Sequence, residues 1–459
     1  MRPKHTKLSI LVVSLAIGTA LLNVDVTAQR RADLPAGRSL PRVRVTRLEQ
    51  VLPNARILVR RPFSWLIGAQ YGLGLKKGEK LLIVGSGFDP LVSEAIAVAA
   101  DEMGVTTDVI TRDIAALLKR QVRQELDYER FDPTSYMSVR GIVNRAVPDW
   151  LAEMVENYDM VLGFQARGEN YGKIGKNRNI RSSSLDWATA EQLASPAVSY
   201  PDELLAMVAL KTWQIYINGK KIHVTDPMGT DLTFSLDSTN IERFKETRGM
   251  ATYGQRSVER PIAHEVHPDT EPYLTAKPDA NGVMVTRQAG LIPTVKLFVE
   301  NGQVVRIEGG GVAGENMKAA LERFKSVQFP GYYPGPGVGW MEEVALGTNP
   351  KIGPAGPIRR RTGMLHMAWG TDRYNRVSEK VPDLPSNHRD MDFFYYLTFE
   401  VDGKKLVDNG HLTVLDDPEV RKAAAKYGNP DELLREDWIP NYDEQTGHVV
   451  YPPYEDDRK

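Results

Sequence analysis

Short continuous apolar runs separated by helical stretches mark the first half of the chain, and strand-like segments joined by tight turns dominate the second. Lys80 to Val84 is a run of the first kind and reads as a buried strand, ended by Gly85-Ser86-Gly87. Pro90 to Met103 follows as a helix. Its apolar positions include Leu91, Ala95, Ile96, Ala99 and Ala100, and Gly104 sits just past its end. Val105 to Ile110 reads as a second strand, which completes one βαβ unit of a parallel sheet. Ile114 to Arg130 and Pro148 to Tyr158 read as amphipathic helices, and Met160 to Phe164 as a third buried strand. Gln165 to Ser184, rich in Arg, Asn, Gly and Lys, has no periodicity; it reads as a surface loop, with the lining of a substrate cleft as the other reading. Pro201 to Leu210 is helical, with Asp202 and Glu203 placed to suit the helix dipole.

From about Lys211 strands dominate. Lys221 to Asp226 and Asp231 to Leu236 form a hairpin about Met228-Gly229-Thr230, and Thr294 to Val299 and Val304 to Glu308 form another about Asn301-Gly302. A helix over Glu315 to Phe324 follows three glycines. Phe393 to Val401 and Lys405 to Leu415 make a further hairpin about Asp402-Gly403, and Pro418 to Tyr427 is a final helix. The pattern predicts an α/β domain with a parallel sheet over 51–210 and an α+β, mostly antiparallel domain over 211–429. Residues 29–50 read as a flexible lead-in and 430–459 as an irregular tail.

Composition narrows the chemistry. The 459 residues are 42% hydrophobic and 25% charged, a globular balance, and the formal net charge of −1 gives no electrostatic case for nucleic acid or another polyanion. No cysteine is present, which excludes disulfides, thiolate metal sites and a cysteine nucleophile, and suits an oxidising compartment. The N-terminus agrees. Arg2, Lys4 and Lys7 precede the uncharged run Leu8 to Leu22, and Val26-Thr27-Ala28 supplies a small-residue cleavage pattern. Residues 1–28 are therefore expected to be a secretory signal peptide cut after Ala28. The apolar run is short of the ~20 residues that a span needs. A periplasmic or secreted protein, with no stable membrane insertion after cleavage, is the expectation.

Candidate chemistry gathers late in the chain. Glu342 and Glu343 lie in Glu342-Glu343-Val344-Ala345-Leu346-Gly347, His366 in Leu365-His366-Met367-Ala368-Trp369-Gly370, and His388 and Asp390 in His388-Arg389-Asp390. Alone, a Glu-Glu pair is a solvated face and a histidine in an apolar segment is a hydrogen-bonded core residue. Together, carboxylates and imidazoles beside apolar runs are the ligand set of zinc, cobalt, manganese or ferrous iron. Gly85-Ser86-Gly87 lacks the third glycine of a dinucleotide turn and the lysine of a P-loop, and no Gly-x-Ser-x-Gly elbow occurs.

These segments, with Gly78-Glu79-Lys80 and the first βαβ unit and then Gly229-Thr230-Asp231-Leu232-Thr233, occur in the order seen in the M29 metallopeptidases. The chain resembles that family, also called AmpS-like or thermophilic aminopeptidases, from about Leu75 to Asp392. The resemblance implies an N-terminal α/β domain, a C-terminal domain holding two divalent metals (Zn, Co, Mn or Mg), a homodimer, and removal of N-terminal residues from peptide substrates. It implies Glu343, His366, His388 and Asp390 as metal ligands. Tyr374, one residue farther from His366 than the family spacing, is implied as an oxyanion donor, with packing as the plain alternative. Glu342 is implied as a base or an orienting group, with a solvated position as its alternative. The segment carrying the family's metal-bridging glutamate is not found; Gly290-Leu291-Ile292-Pro293 stands in its place, and Glu265 and His264 are the candidate substitutes. A relative in the same superfamily, a ferrous dihydroxypyridine ring-cleaving dioxygenase, offers a second reading. There His388 and Asp390, with His366 or His264, would hold Fe(II). A non-catalytic exported binding protein on the same scaffold is the third.

Overall fold

The computed structural model describes residues 42–62, 72–84, 89–110, 153–164, 180–185, 189–217, 219–235, 262–266, 279–286, 294–327, 335–354, 361–370, 389–393, 396–442 and 449–455. The signal peptide expected over 1–28, the helix expected over Ile114 to Arg130, and Gly290 to Pro293 lie outside them. Among the described residues no helix is long and apolar enough to cross a membrane.

The first part of the chain builds a small parallel sheet. Helix α1 (Leu48–Arg60) precedes β1 (Lys80–Val84), α2 (Pro90–Asp101), β2 (Thr106–Ile110), β3 (Met160–Phe164) and β4 (Arg181–Leu185). The strands pair in parallel in the order β2-β1-β3-β4. The unbroken apolar run of β1 has a physical cause: both of its faces are covered. Leu81 and Ile83 pack with Val92, Ala95 and Ala99 of α2, while Leu82 and Val84 pack on the other side with Val155, Val161 and Ile180. Asp89 starts α2 by accepting the Leu91 amide at 3.0 Å, with Pro90 next in the first turn. Its second carboxylate oxygen accepts the amide of Ala190, at the start of the short helix α3 (Ala190–Leu193).

Helix α4 (Asp202–Ile217) leads into the second part. There follow β5 (Ile222–Thr225), β6 (Asp231–Phe234), β7 (Ile262–Val266), β8 (Asn281–Thr286), β9 (Val295–Glu300), β10 (Gln303–Gly309), α5 (Gly311–Phe324), β11 (Trp340–Gly347), β12 (Leu365–Gly370), β13 (Arg389–Phe393), β14 (Thr398–Val401), β15 (Lys404–Asp408) and β16 (His411–Leu412). Among the described residues these strands form one 12-stranded sheet in the order β13-β12-β11-β10-β9-β8-β6-β5-β14-β15-β16, with β7 also pairing β11. Every pairing in it is antiparallel. Helices α6 (Pro418–Ala424) and α7 (Pro430–Leu433) and a two-stranded ribbon, β17 (Asn441–Tyr442) with β18 (Val449–Val450), complete the chain.

A small parallel sheet joined to a large antiparallel one is thus the observed architecture, and one large core of Leu204, Val224, Leu232, Leu297, Leu346, Met367 and Phe399 underlies the second sheet. The turns explain its register. Asn301-Gly302 and Asp402-Gly403 both have two consecutive positive φ angles (51° and 82°; 50° and 78°), the geometry that tight hairpins require. Asn409-Gly410 is a third such turn (49° and 84°). It divides the single strand expected over Lys405 to Leu415 into β15, β16 and a 3-10 turn, Thr413–Asp416. Phe393 to Val401 is likewise broken, at Tyr396, whose φ is 47°. The segment expected as a loop up to Ser184 ends in strand β4, and the tail expected to be irregular contains α7 and the terminal ribbon.

Candidate metal face

Strands β7, β11, β12 and β13 lie together near the β13 edge of the large sheet. Their alternation assigns each residue a side. Val344 and Leu346 of β11, and Leu365, Met367 and Trp369 of β12, are buried in the common core. Register fixes the opposite side. Ala345 pairs with His366 on one flank and with Glu265 on the other, and His366 pairs in turn with Asp392. The next row carries Glu343, Ala368 and Asp390. Directly opposed residues share a face, and that face recurs at every second residue. Glu265, Glu343, His366, Asp390 and Asp392 therefore occupy one face of adjoining strands.

Spacing makes this face chemically useful. Neighbouring strands lie ~4.8 Å apart and alternate residues of one strand ~6.8 Å apart, so Ala368 lies midway between Glu343 and Asp390 in one row, His366 lies one row away, and no two of the Cα atoms of Glu343, His366 and Asp390 are more than ~10 Å apart. Alanine between Glu343 and Asp390, and again at Ala345 beside His366, is the smallest side chain after glycine. His366 itself is only 7% exposed. A buried imidazole is held by hydrogen-bond partners.

The register also separates the candidates. His264 pairs with Leu346 and so falls on the core side, opposite the face of His366, whereas Glu265 falls on the same face as His366. Glu342 sits where the pairing of β11 with β12 shifts, between Met341 and Glu343. Such irregularities re-aim side chains and recur beside active sites. Tyr374 and His388 lie outside the described residues; His388 immediately precedes the first residue of β13. Asp392 was not among the sequence candidates, although the alternation His388, Asp390, Asp392 was the signal that could have found it. Among the described residues no group of three or more His, Cys, Asp or Glu side chains could hold a metal ion; the acids of this face enter by backbone register.

The connection between β11 and β12 is held by buried ions. Lys351 Nζ donates to the carbonyls of Glu432 (2.6 Å) and Arg435 (2.7 Å) and to Asp437 Oδ1 (2.8 Å), with both side chains of the ion pair nearly inaccessible. Arg361 is fully buried and donates to the Trp438 carbonyl at 3.3 Å. Burial pushes its guanidinium down to about 10, against the opposing pull of Glu436. Gly363, at φ 69°, lies so close to the Asn409-Gly410 turn that a Cβ there would meet the Gly410 carbonyl oxygen at 1.8 Å. The Gly347 amide donates to the Met364 carbonyl at 2.9 Å, closing the hairpin two residues before His366.

Another histidine shows a different arrangement. His411 has Nδ1 2.9 Å from Glu436 and Nε2 2.8 Å from Asp416, so both ring nitrogens face carboxylates. The hydrogen bond to Glu436 is the main cause of a pKa pushed up to about 9, which makes His411 a cationic knot tying β16 to the C-terminal segment.

The protein is thus a two-sheet fold whose antiparallel sheet places an imidazole and several acidic residues on one face by register. Two solved structures are similar to it at low identity. One is the 2,5-dihydroxypyridine dioxygenase from Pseudomonas putida KT2440, 14% identical over 80% of this chain and 97% of that chain, with a TM-score of 0.42. The other is wild-type AmpT from Thermus thermophilus, 13% identical over 78% of this chain and 96% of that chain, with a TM-score of 0.40. No protein-family model matches the sequence. No curated protein sequence matches it.

Proposed function

We propose that the protein is an exported, divalent-metal-dependent hydrolase of the aminopeptidase type, acting on peptides as a homodimer. The observation that carries the metal reading is the shared face of Glu343, His366 and Asp390 around Ala368. The donor set fits. Carboxylate oxygen with imidazole nitrogen suits zinc, cobalt, manganese or, with more oxygen donors, magnesium, and the chain has no thiolate to compete. When bound, such a cation supplies Lewis acidity toward a water and a carbonyl oxygen. Glu343, His366, Asp390 and, by sequence, His388 would hold it. Glu265, one strand beyond Ala345, adds a carboxylate on the side where the resemblance to the metallopeptidases leaves a bridging acid missing. Glu342, at the register shift, is the proton acceptor of this proposal, and Tyr374 the donor to a developing oxyanion. The excess of carboxylates over imidazoles on the face favours hydrolysis over the ferrous alternative. The peptide substrate and the homodimer come from the family resemblance, and export from the leader pattern over 1–28.

The test is activity of the mature chain on aminoacyl-nitroanilides with zinc, cobalt, manganese or magnesium. Metal-dependent release of nitroaniline is expected, with His366→Ala lowering kcat/KM by at least ~100-fold. Iron-dependent oxygen uptake with a dihydroxylated aromatic, and no hydrolysis, would move the assignment to a ring-cleaving dioxygenase built on His366, His388 and Asp390. Metal binding without either activity would leave a binding protein.

A further inference from the structure

Two joins between the small-sheet and large-sheet parts differ in burial. The inner join is closed to solvent. The β11–β12 connection places Ile352 in the core of the small sheet, and Asn349 Nδ2, also buried, donates to the Ala197 carbonyl at 3.3 Å. The outer join lies at the surface and brings residues 451–455 onto the lead-in. The Arg42 amide donates to the Pro453 carbonyl at 3.4 Å and the Glu455 amide to the Arg42 carbonyl at 3.0 Å, so Arg42 and Tyr454 form one isolated parallel bridge. The guanidinium carbons of Arg42 and Arg44 lie 4.1 Å and 4.0 Å from the centre of the Tyr454 ring, within cation–π range. Arg42 also pairs with Glu191 at 3.0 Å, on helix α3, whose Ala190 and Leu193 are buried in the small-sheet core.

The tail has a second, deeper attachment. Asp437 pairs with Lys351, the Trp438 carbonyl accepts from Arg361, and the Trp438 ring stands 5.5 Å from that of Tyr451. Glu436, Asp437 and Trp438 are buried, whereas Val450 and Tyr451 are each 49% exposed. One segment thus runs from a buried anchor to an exposed end.

We propose that residues 449–455 are a releasable clasp. Closed, they tie residues 42–47, and through Glu191 the small-sheet part, to the large-sheet part. They open while the anchor at 436–438 stays in place, and the buried inner join then carries the connection. Segments with few buried contacts and exposed backbone hydrogen bonds open at far lower free energy than buried ones. Tyr454 is the side chain on which the clasp turns, because two arginines share its ring.

Deuterium exchange of the intact mature chain, read peptide by peptide, tests this. In the unsubstituted chain 449–455 is expected to exchange faster than 434–438. Tyr454→Ala is expected to speed exchange about 10-fold over 42–47 and 449–455 together and to leave 434–438 unchanged. Tyr454→Phe, which keeps the ring between the arginines, is expected to stay close to the unsubstituted rates. Arg42→Ala should loosen the same two segments from the other side. Faster exchange over 449–455 alone in Tyr454→Ala overturns the proposal, since the tail would then not hold the lead-in. Equal acceleration at 434–438, or equal protection of 434–438 and 449–455 in the unsubstituted chain, overturns it as well, since anchor and clasp would then open as one.

Discussion

Strand β1 of the small sheet and strands β11 and β12 of the large sheet treat their faces differently, and the difference bears on where ligands could sit. In the small parallel sheet every residue of β1 after Lys80 is buried, because helices and neighbouring segments cover both sides. Such a strand has no side left for function, and its side chains serve packing alone. In the large antiparallel sheet β11 and β12 commit one face to the core through Val344, Leu346, Leu365, Met367 and Trp369. The other face carries, by register, acids and the buried imidazole of His366. A strand apolar at every position after its first, as β1 is, leaves no buried polar side chain to act as a ligand, whereas β12 places His366 among apolar residues.

The comparison predicts that stability and metal binding separate. The largest effect falls on the support behind β11 and β12. Asp437→Ala leaves the Lys351 ammonium buried without its carboxylate and should cost about 3–5 kcal/mol in denaturant unfolding. Because that ion pair anchors the β11–β12 connection, zinc affinity should fall with it. Leu82→Ala, in the small sheet, should cost about 2–4 kcal/mol and leave the zinc affinity of the folded protein unchanged. A change in affinity there would break the contrast between the sheets. His366→Gln should do the reverse, abolishing zinc binding with a metal-free unfolding free energy within ~1 kcal/mol of the unsubstituted chain.

A smaller effect sharpens the contrast between the two histidines. The His411 pKa is raised from 6.5 to about 9 in the folded state, so the folded protein holds a proton that the unfolded chain releases across that interval. The contribution is complete below pH 6.5 and lost as pH rises through 9. Thermal unfolding should shift down by a few degrees over that window, and His411→Gln should flatten the dependence. His411 is half-buried, and solvent screening keeps the effect modest. The substitution should leave zinc binding unaltered, since His411 lies on β16, at the opposite end of the strand order from β13.

Much of this architecture was legible in the sequence, for identifiable reasons. The run Lys80 to Val84, the helix begun by Asp89-Pro90, and the Asn301-Gly302 and Asp402-Gly403 turns each carry a local signal that the tertiary structure did not need to override. The turn at Asn409-Gly410 carried the same signal and was passed over because the apolar residues on either side read as one strand. Helix α1 was not anticipated: Arg residues and Pro53 interrupt its apolar pattern, although Val51, Ala55, Leu58 and Val59 do line one buried face. At the candidate site, residue types gave Glu343, His366 and Asp390. Which face each residue joins depends on pairings between strands far apart in sequence, and no local pattern encodes those. That is why the faces of Glu265 and His264 could not be told apart before the register was known, and why Asp392 does not stand out in the sequence as sharing the face of His366.

Elemental analysis of the mature chain, purified without chelator and compared with His366→Ala, bears most directly on the shared face. At least one divalent ion per chain is expected in the first and none in the second. Equal metal content in both, or none in either, would contradict the account.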